Sequence, residues 1–189
     1  MTDNQLEQTL ADIHRICEVH QLRYAVIGGV ALMAYFEQRT TSDIDLTIGI
    51  EFGNLEKIYD AFTTEFAPIK DDALNFFNAY FVLPLRHRKN DLTIDISAGV
   101  SGFERTVIKR RKKKKFGNAT IYIASLEDLL IYKLIADREK DKIDLENLAS
   151  QTRYRLDKTY LLKTAKLFAE SGIDIELGAK QILEHRPSK

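Results

Sequence analysis

The chain has 189 residues and 44% apolar content, enough for one large domain or a domain with a helical appendage. Lys plus Arg and Asp plus Glu both number 28, so net charge argues neither for nor against nucleic acid and the distribution must decide. The single cysteine, Cys17, excludes an intramolecular disulfide, and no apolar run approaches the length of a membrane span. The N-terminal residues have neither a basic region nor an apolar stretch of the signal-peptide kind. The expectation is a cytoplasmic protein with no membrane partner.

Residues 3–20 read as a helix, with Leu6, Leu10, Ile13, Ile16 and Cys17 on one stripe. Cys17 therefore reads as core rather than nucleophile. A short apolar strand at 23–27 leads into Gly28-Gly29 and a helix at 29–37. Adjacent glycines let a ligand approach the backbone, and a helix N-terminus beside them offers N–H groups to phosphate.

The segment 43–49 alternates strictly: Ile44, Leu46 and Ile48 on one face, Asp43, Asp45 and Thr47 on the other. Period two means a half-buried strand. Residues 92–97 repeat the pattern, with Leu92, Ile94 and Ile96 inward and Thr93, Asp95 and Ser97 outward. Asp is disfavoured in strands, so its place mid-strand in both implies a compensating role. If the strands are neighbours, three carboxylates converge and raise one another's pKa. A divalent cation removes that conflict, and Mg²⁺ (or Mn²⁺) takes carboxylate oxygens together with substrate phosphates. Asp43, Asp45 and Asp95 are thus the candidate catalytic and metal-ligating residues. Each signal alone has a commoner structural reading: a surface aspartate, a turn, an edge-strand charge. Their conjunction in this order is what points to phosphoryl or nucleotidyl transfer.

Between these strands, 53–66 reads as a helix and 76–83 as an aromatic-rich strand. The run Lys109, Arg110, Arg111, Lys112, Lys113, Lys114 and Lys115 has two readings: a solvated loop, or a nucleic-acid phosphate track. His14, His20, His87 and His185 lack the spacing of a zinc site. A short strand at 119–123 precedes a helical remainder, with helices near 126–137, 139–150, 157–170 and 174–184. Ser125 and Asp128 make a capping-box-like start. The expected fold class is α+β: a mixed β-sheet core with flanking helices over 1–124, followed by a C-terminal helical region over 125–189 packed against it. Lys133 shares a helix face with Leu126, Leu129 and Leu130, and so snorkels, pairs with Asp137 at i+4, or reaches into a cleft.

Gly28-Gly29, then Arg39-x-Thr41-x-Asp43-x-Asp45, then an apolar-flanked Asp95 resemble the nucleotidyltransferase fold of the DNA polymerase β superfamily. The stretch from Ser125 to Asp141 is similar to the helical tail of small bacterial abortive-infection and type IV toxin–antitoxin nucleotidyltransferases, AbiEii-like proteins. The resemblance covers about residues 24–148. Many superfamily members have Gly-Ser where this chain has Gly-Gly. The resemblance implies a Mg²⁺-dependent enzyme that moves a nucleoside monophosphate from an NTP to an acceptor. It implies that Gly28, Gly29, Arg39 and Ser42 hold the nucleotide and that Lys133 acts on its phosphates. It also implies RNA such as tRNA as acceptor and an antitoxin protein as partner. Two alternatives stay open: a non-catalytic nucleotide- or RNA-binding module on the same fold, or an enzyme modifying a protein or small molecule.

Overall fold

The structure is a computed structural model, and it describes residues 3–36, 41, 43–50, 55–150 and 153–185. Two compact units divide the chain: one comprises residues 1–34 and 39–124, the other Ser125–Lys189 with a short segment beginning at Tyr35.

The first unit is built on a seven-stranded mixed sheet. Its strands are β1 (Tyr24–Ile27), β2 (Asp43–Gly49), β3 (Phe66–Pro68), β4 (Val82–His87), β5 (Thr93–Gly99), β6 (Lys112–Phe116) and β7 (Ala119–Ile123). They lie in the order β3-β4-β5-β2-β1-β7-β6. The helices of this unit are α1 (Asp3–Val19), α2 (Gly28–Met33), α3 (Leu55–Thr63), α4 (Ala73–Tyr80) and α5 (Gly102–Arg110). Period-two alternation makes one sheet face apolar: Val26, Ile44, Leu46, Ile48, Leu83, Leu85, Ile94 and Ile96 are fully buried. Helix α1 buries Leu10, Ile13 and Cys17 and packs against β7 and α3. Helix α5 starts at a complete capping box, Ser101 with Glu104, and its Ile108 lies over Gly49 and Gly99 at the C-terminal ends of β2 and β5.

Two expectations are corrected here. Residues 76–83 are not one strand: Phe76, Phe77 and Tyr80 belong to α4, Phe81 turns into the left-handed region at φ 58°, and β4 begins only at Val82. A dense aromatic run suits either element by propensity, and the helix is anchored by the buried Ala73 and Phe77. The basic run is not a loop. Lys109 and Arg110 end α5, and Lys112–Lys115 form most of β6, paired antiparallel to β7 from Lys112↔Ile123 to Phe116↔Ala119. Strand β3 was not legible as a separate element; it is three residues long, with Phe66 buried and the next two residues half-buried.

The second unit is helical: α6 (Leu126–Ala136), α7 (Glu139–Ser150), α8 (Lys158–Glu170) and α9 (Glu176–Glu184). Ser125 caps α6 by accepting the Asp128 N–H and donates its hydroxyl proton to the Asp128 carboxylate at 2.6 Å. Tyr160 of α8 donates to the same buried carboxylate at 2.6 Å, tying α8 to α6. Leu134 fills the space beside Gly178, where a Cβ would lie 2.6 Å from its Cδ2.

Candidate active site

Strands β2 and β5 run parallel and in register, with Asp43 beside Thr93 and Asp45 beside Asp95. Because neighbours in register share a face, all three carboxylates stand on the face opposite the apolar one. Thr93 Oγ1 donates to Asp43 Oδ1 at 2.8 Å, a contact between the two strands on that face. The Asp95 carboxyl is held above its ordinary pKa, first by loss of surrounding water and then by the negative charge of Asp43.

On the other flank of β2, Ile27 of β1 pairs with Asp45. The chain then turns at Gly28 with φ +61°, and a Cβ there would lie 2.0 Å from Asp45 Oδ2 and 2.9 Å from its Cγ. Gly28 is thus required twice over, by its backbone and by the carboxylate laid against it. Gly29 plays the same part for Thr41: a Cβ would meet its Oγ1 at 2.7 Å. Thr41 in turn bonds the backbone of Asp43, donating to its carbonyl at 3.3 Å. Sequence reasoning quoted Thr41 without giving it a role and passed over Thr93; both could have been found as hydroxyls flanking the carboxylates. Arg39 and Ser42 lie outside the described residues.

The donor set fits a hard divalent cation in kind. It is all carboxylate oxygen, on adjacent strands, with Asp43 raising the pKa of Asp95. As placed, no three His, Cys, Asp or Glu side chains among the described residues are gathered as ligands of an ion. Asp43 Oδ1 accepts from Thr93, and the Asp45 carboxylate lies against Gly28.

Lys133 belongs to the helical unit and is buried there. Its Nζ lies 2.5 Å from Asp141 Oδ1 and 2.7 Å from Asp144 Oδ2, both on α7. The i+4 pair with Asp137 does not form, because Asp137 has left the helix at φ 43° and caps it. Arg138 Nε donates to Asp141 Oδ2 at 2.6 Å. Burial works to raise the Asp141 carboxyl, but the hydrogen bonds and charges of Arg138 and Lys133 outweigh it and hold the pKa at about 2. Asp144 was not singled out in the sequence, although its spacing of three from Asp141 places both on one helix face.

In the basic run, Lys109, Lys112, Lys113 and Lys115 are exposed, while Lys114 and Arg110 are half-buried and engaged. Arg111 is committed to the fold: its guanidinium stacks 4.4 Å over the Tyr122 ring and donates to the Ile108 carbonyl at 3.0 Å.

Residues 14–172 match the model of the nucleotidyl transferase AbiEii toxin family, described as a type IV toxin–antitoxin system. The chain belongs to this family. It is accordingly a nucleotidyltransferase of AbiEii type, and the toxin–antitoxin class of the family implies an antitoxin partner. No curated protein matches it in sequence. Its fold is shared with several solved structures. An antigenic nucleotidyltransferase-like protein from Paracoccidioides brasiliensis aligns at 15% identity and TM-score 0.57, over 98% of this chain and 95% of that one. The lincosamide antibiotic adenylyltransferase LnuA, solved with lincomycin bound, aligns at 18% identity and TM-score 0.55, over 77% of this chain and 98% of that one. The antibiotic-resistance factor ANT(2'')-Ia aligns at 13% identity and TM-score 0.56, over 97% of each chain. In the AbiEii-type chain, as described, no helix is long and apolar enough to cross a membrane.

Proposed function

We propose that this AbiEii-type chain transfers a nucleoside monophosphate from an NTP to RNA such as tRNA, in a metal-dependent reaction, as the cytoplasmic toxin of a toxin–antitoxin pair. The observation that carries the reading is the register of Asp45 with Asp95 and of Asp43 with Thr93 on one open sheet face. A Mg²⁺ or Mn²⁺ ion held by Asp43, Asp45 and Asp95 would neutralise charge on the triphosphate and on the attacking oxygen. Asp43 and Asp45 orient the donor from β2, and Asp95 faces the acceptor from β5. The Gly28-Gly29 turn, with Arg39 and Ser42, takes the triphosphate tail. The acceptor hydroxyl forms a bond to the α-phosphorus, the bond to pyrophosphate breaks, and the hydroxyl proton leaves to solvent.

A small-molecule acceptor is the second reading, favoured by the likeness in fold to LnuA and ANT(2'')-Ia. One experiment separates them: the protein is incubated with each labelled NTP and Mg²⁺, together with total cellular RNA, a lincosamide or an aminoglycoside. Label in RNA supports the first reading, and label in an antibiotic alone overturns it. Asp45→Asn is expected to abolish transfer. It also relieves repulsion, so stability without metal should hold or rise slightly while Mg²⁺-induced stabilisation shrinks. Transfer at the wild-type rate in Asp45→Asn would remove the carboxylate site from the mechanism.

A further inference from the structure

We propose that Arg86 on β4 binds a backbone phosphate of the acceptor, making it the residue that selects a nucleic-acid acceptor over a neutral or cationic small molecule. The inference rests on the nucleotidyl-transfer reading and deepens it.

Three observations carry it. First, Arg86 pairs with Thr93 across the β4–β5 ladder, and Pro84 pairs with Asp95. Directly opposed residues of an antiparallel pair share a face, with Cβ atoms about 5 Å apart. Arg86 therefore stands on the carboxylate face, beside the threonine whose hydroxyl holds Asp43. Second, Arg86 is exposed and makes no hydrogen bond or ion pair among the described residues. Other arginines of this unit are used otherwise: Arg88 donates to the Thr63 carbonyl, and Arg15 pairs with Glu65 and Asp12. An arginine that braces the fold has such partners. Third, the strand order β4-β5-β2-β1 places the carboxylates between Gly28 and Arg86. In-line displacement needs the leaving pyrophosphate and the incoming hydroxyl on opposite sides of the α-phosphorus. With the triphosphate tail at the glycine turn, the acceptor comes from the β4 side. There Val82 and Pro84, half-buried on the same face, make an apolar floor for a sugar or base, and Arg86 lies beyond them.

The site tolerates its own proline. The Pro84 carbonyl accepts from Ile69, so its missing N–H falls on the same side, past the last β3–β4 pair at Pro68↔Leu85.

A guanidinium near the acceptor hydroxyl repels a cationic acceptor and favours one with a phosphate next to its reacting end. The probe is bulk tRNA with the NTP that the wild type uses. For Arg86→Gln, the KM for tRNA should rise about tenfold with the KM for NTP unchanged, and the slope of log affinity against log salt should fall by about one contact. Arg86→Lys should restore most of the slope. Because the side chain is exposed, the melting temperature of both variants should match the wild type. An unchanged tRNA KM and salt slope in Arg86→Gln overturns the inference, as does a rise in the NTP KM alone. If the wild type labels no tRNA, the RNA reading itself fails and the inference falls with it.

Discussion

At the scale of single residues, the site is set by what cannot be enlarged. Gly28 has a positive φ, and the Asp45 carboxylate occupies the space a methyl group would need. Gly28→Ala therefore does two things. The left-handed backbone costs about 1 kcal/mol for a residue with a Cβ. The methyl also pushes Asp45 off its position over the turn. Asp45 is half-exposed on an open face and can move, so the fold should survive with a small loss of melting temperature. Transfer should fall by on the order of a hundredfold, since a misplacement of about 1 Å at the reacting groups has that effect. Kinetics with the melting curve as control check it; a variant that is destabilised but transfers at the wild-type rate would show that Asp45 need not sit against the turn. Thr47 shows the opposite extreme. It shares the carboxylate face yet is fully buried, and its hydroxyl has no hydrogen-bond partner among the described residues. The alternation that marked Asp43 and Asp45 as outward-facing could not say that the third position is buried.

At the scale of elements, legibility followed burial pattern. Strand β2 spans the residues its alternation predicts, 43–49, because one face is wholly core while the other carries the exposed Asp43 and the half-buried Asp45. Helix α7 spans 139–150 as its pattern indicates. Strand β6 was illegible because four consecutive lysines carry no alternation; its pairing comes wholly from β7, whose Ala119, Ile121 and Ile123 are buried. Lys133 was placed on the right face but given the wrong structural partner, since the i+4 rule ignores the left-handed exit at Asp137. The real partners lie on the next helix, and that changes the expected energetics. Lys133→Met leaves Asp141 and Asp144 buried together without their shared cation. The helical unit should lose about 3–5 kcal/mol, against almost nothing for an exposed pair. Asp144→Asn in the same chain should recover part of the loss. The pH dependence has a definite sign. The folded pKa of Asp141, at about 2, lies below the unfolded value of about 3.9, so its contribution is complete above pH ~4 and is lost as pH falls towards 2. Urea melts at pH 6 and pH 3 should differ by about 1–2 kcal/mol more in the wild type than in Asp141→Asn. Equal differences in the two proteins would show that Asp141 is not held charged by Lys133 and Arg138.

At the scale of the whole molecule, balanced charge hides an uneven distribution: 28 cations and 28 anions sum to zero, yet exposed lysines crowd one edge of the sheet. Two physical roles compete for that edge. Unpaired N–H and C=O groups on an edge strand invite association with another chain, and lysines are a common guard against it. The same lysines can follow a nucleic-acid backbone. The β6–β7 register sorts them by face: Lys113 and Lys115 stand opposite Tyr122 and Thr120, while Lys112 and Lys114 stand opposite Ile123 and Ile121. A phosphate track on one face uses one pair. Lys113→Gln with Lys115→Gln should then weaken tRNA binding and lower the salt slope by about 1.4 for single-stranded contacts, at ~0.7 each. The loss should be similar across RNA sequences, because phosphate contacts position without specifying. NTP and Mg²⁺ binding should be unchanged, since β1 and β7 separate β6 from the carboxylate strands. The guard role has a different signature. It depends on charge anywhere along the edge, so the double variant should associate as concentration rises, with its tRNA affinity and salt slope intact. Sedimentation across a concentration series, run beside the salt titration, distinguishes the two. A flattened slope in a protein that stays monomeric assigns β6 to the RNA, and self-association with an unaltered slope assigns it to protection of the sheet.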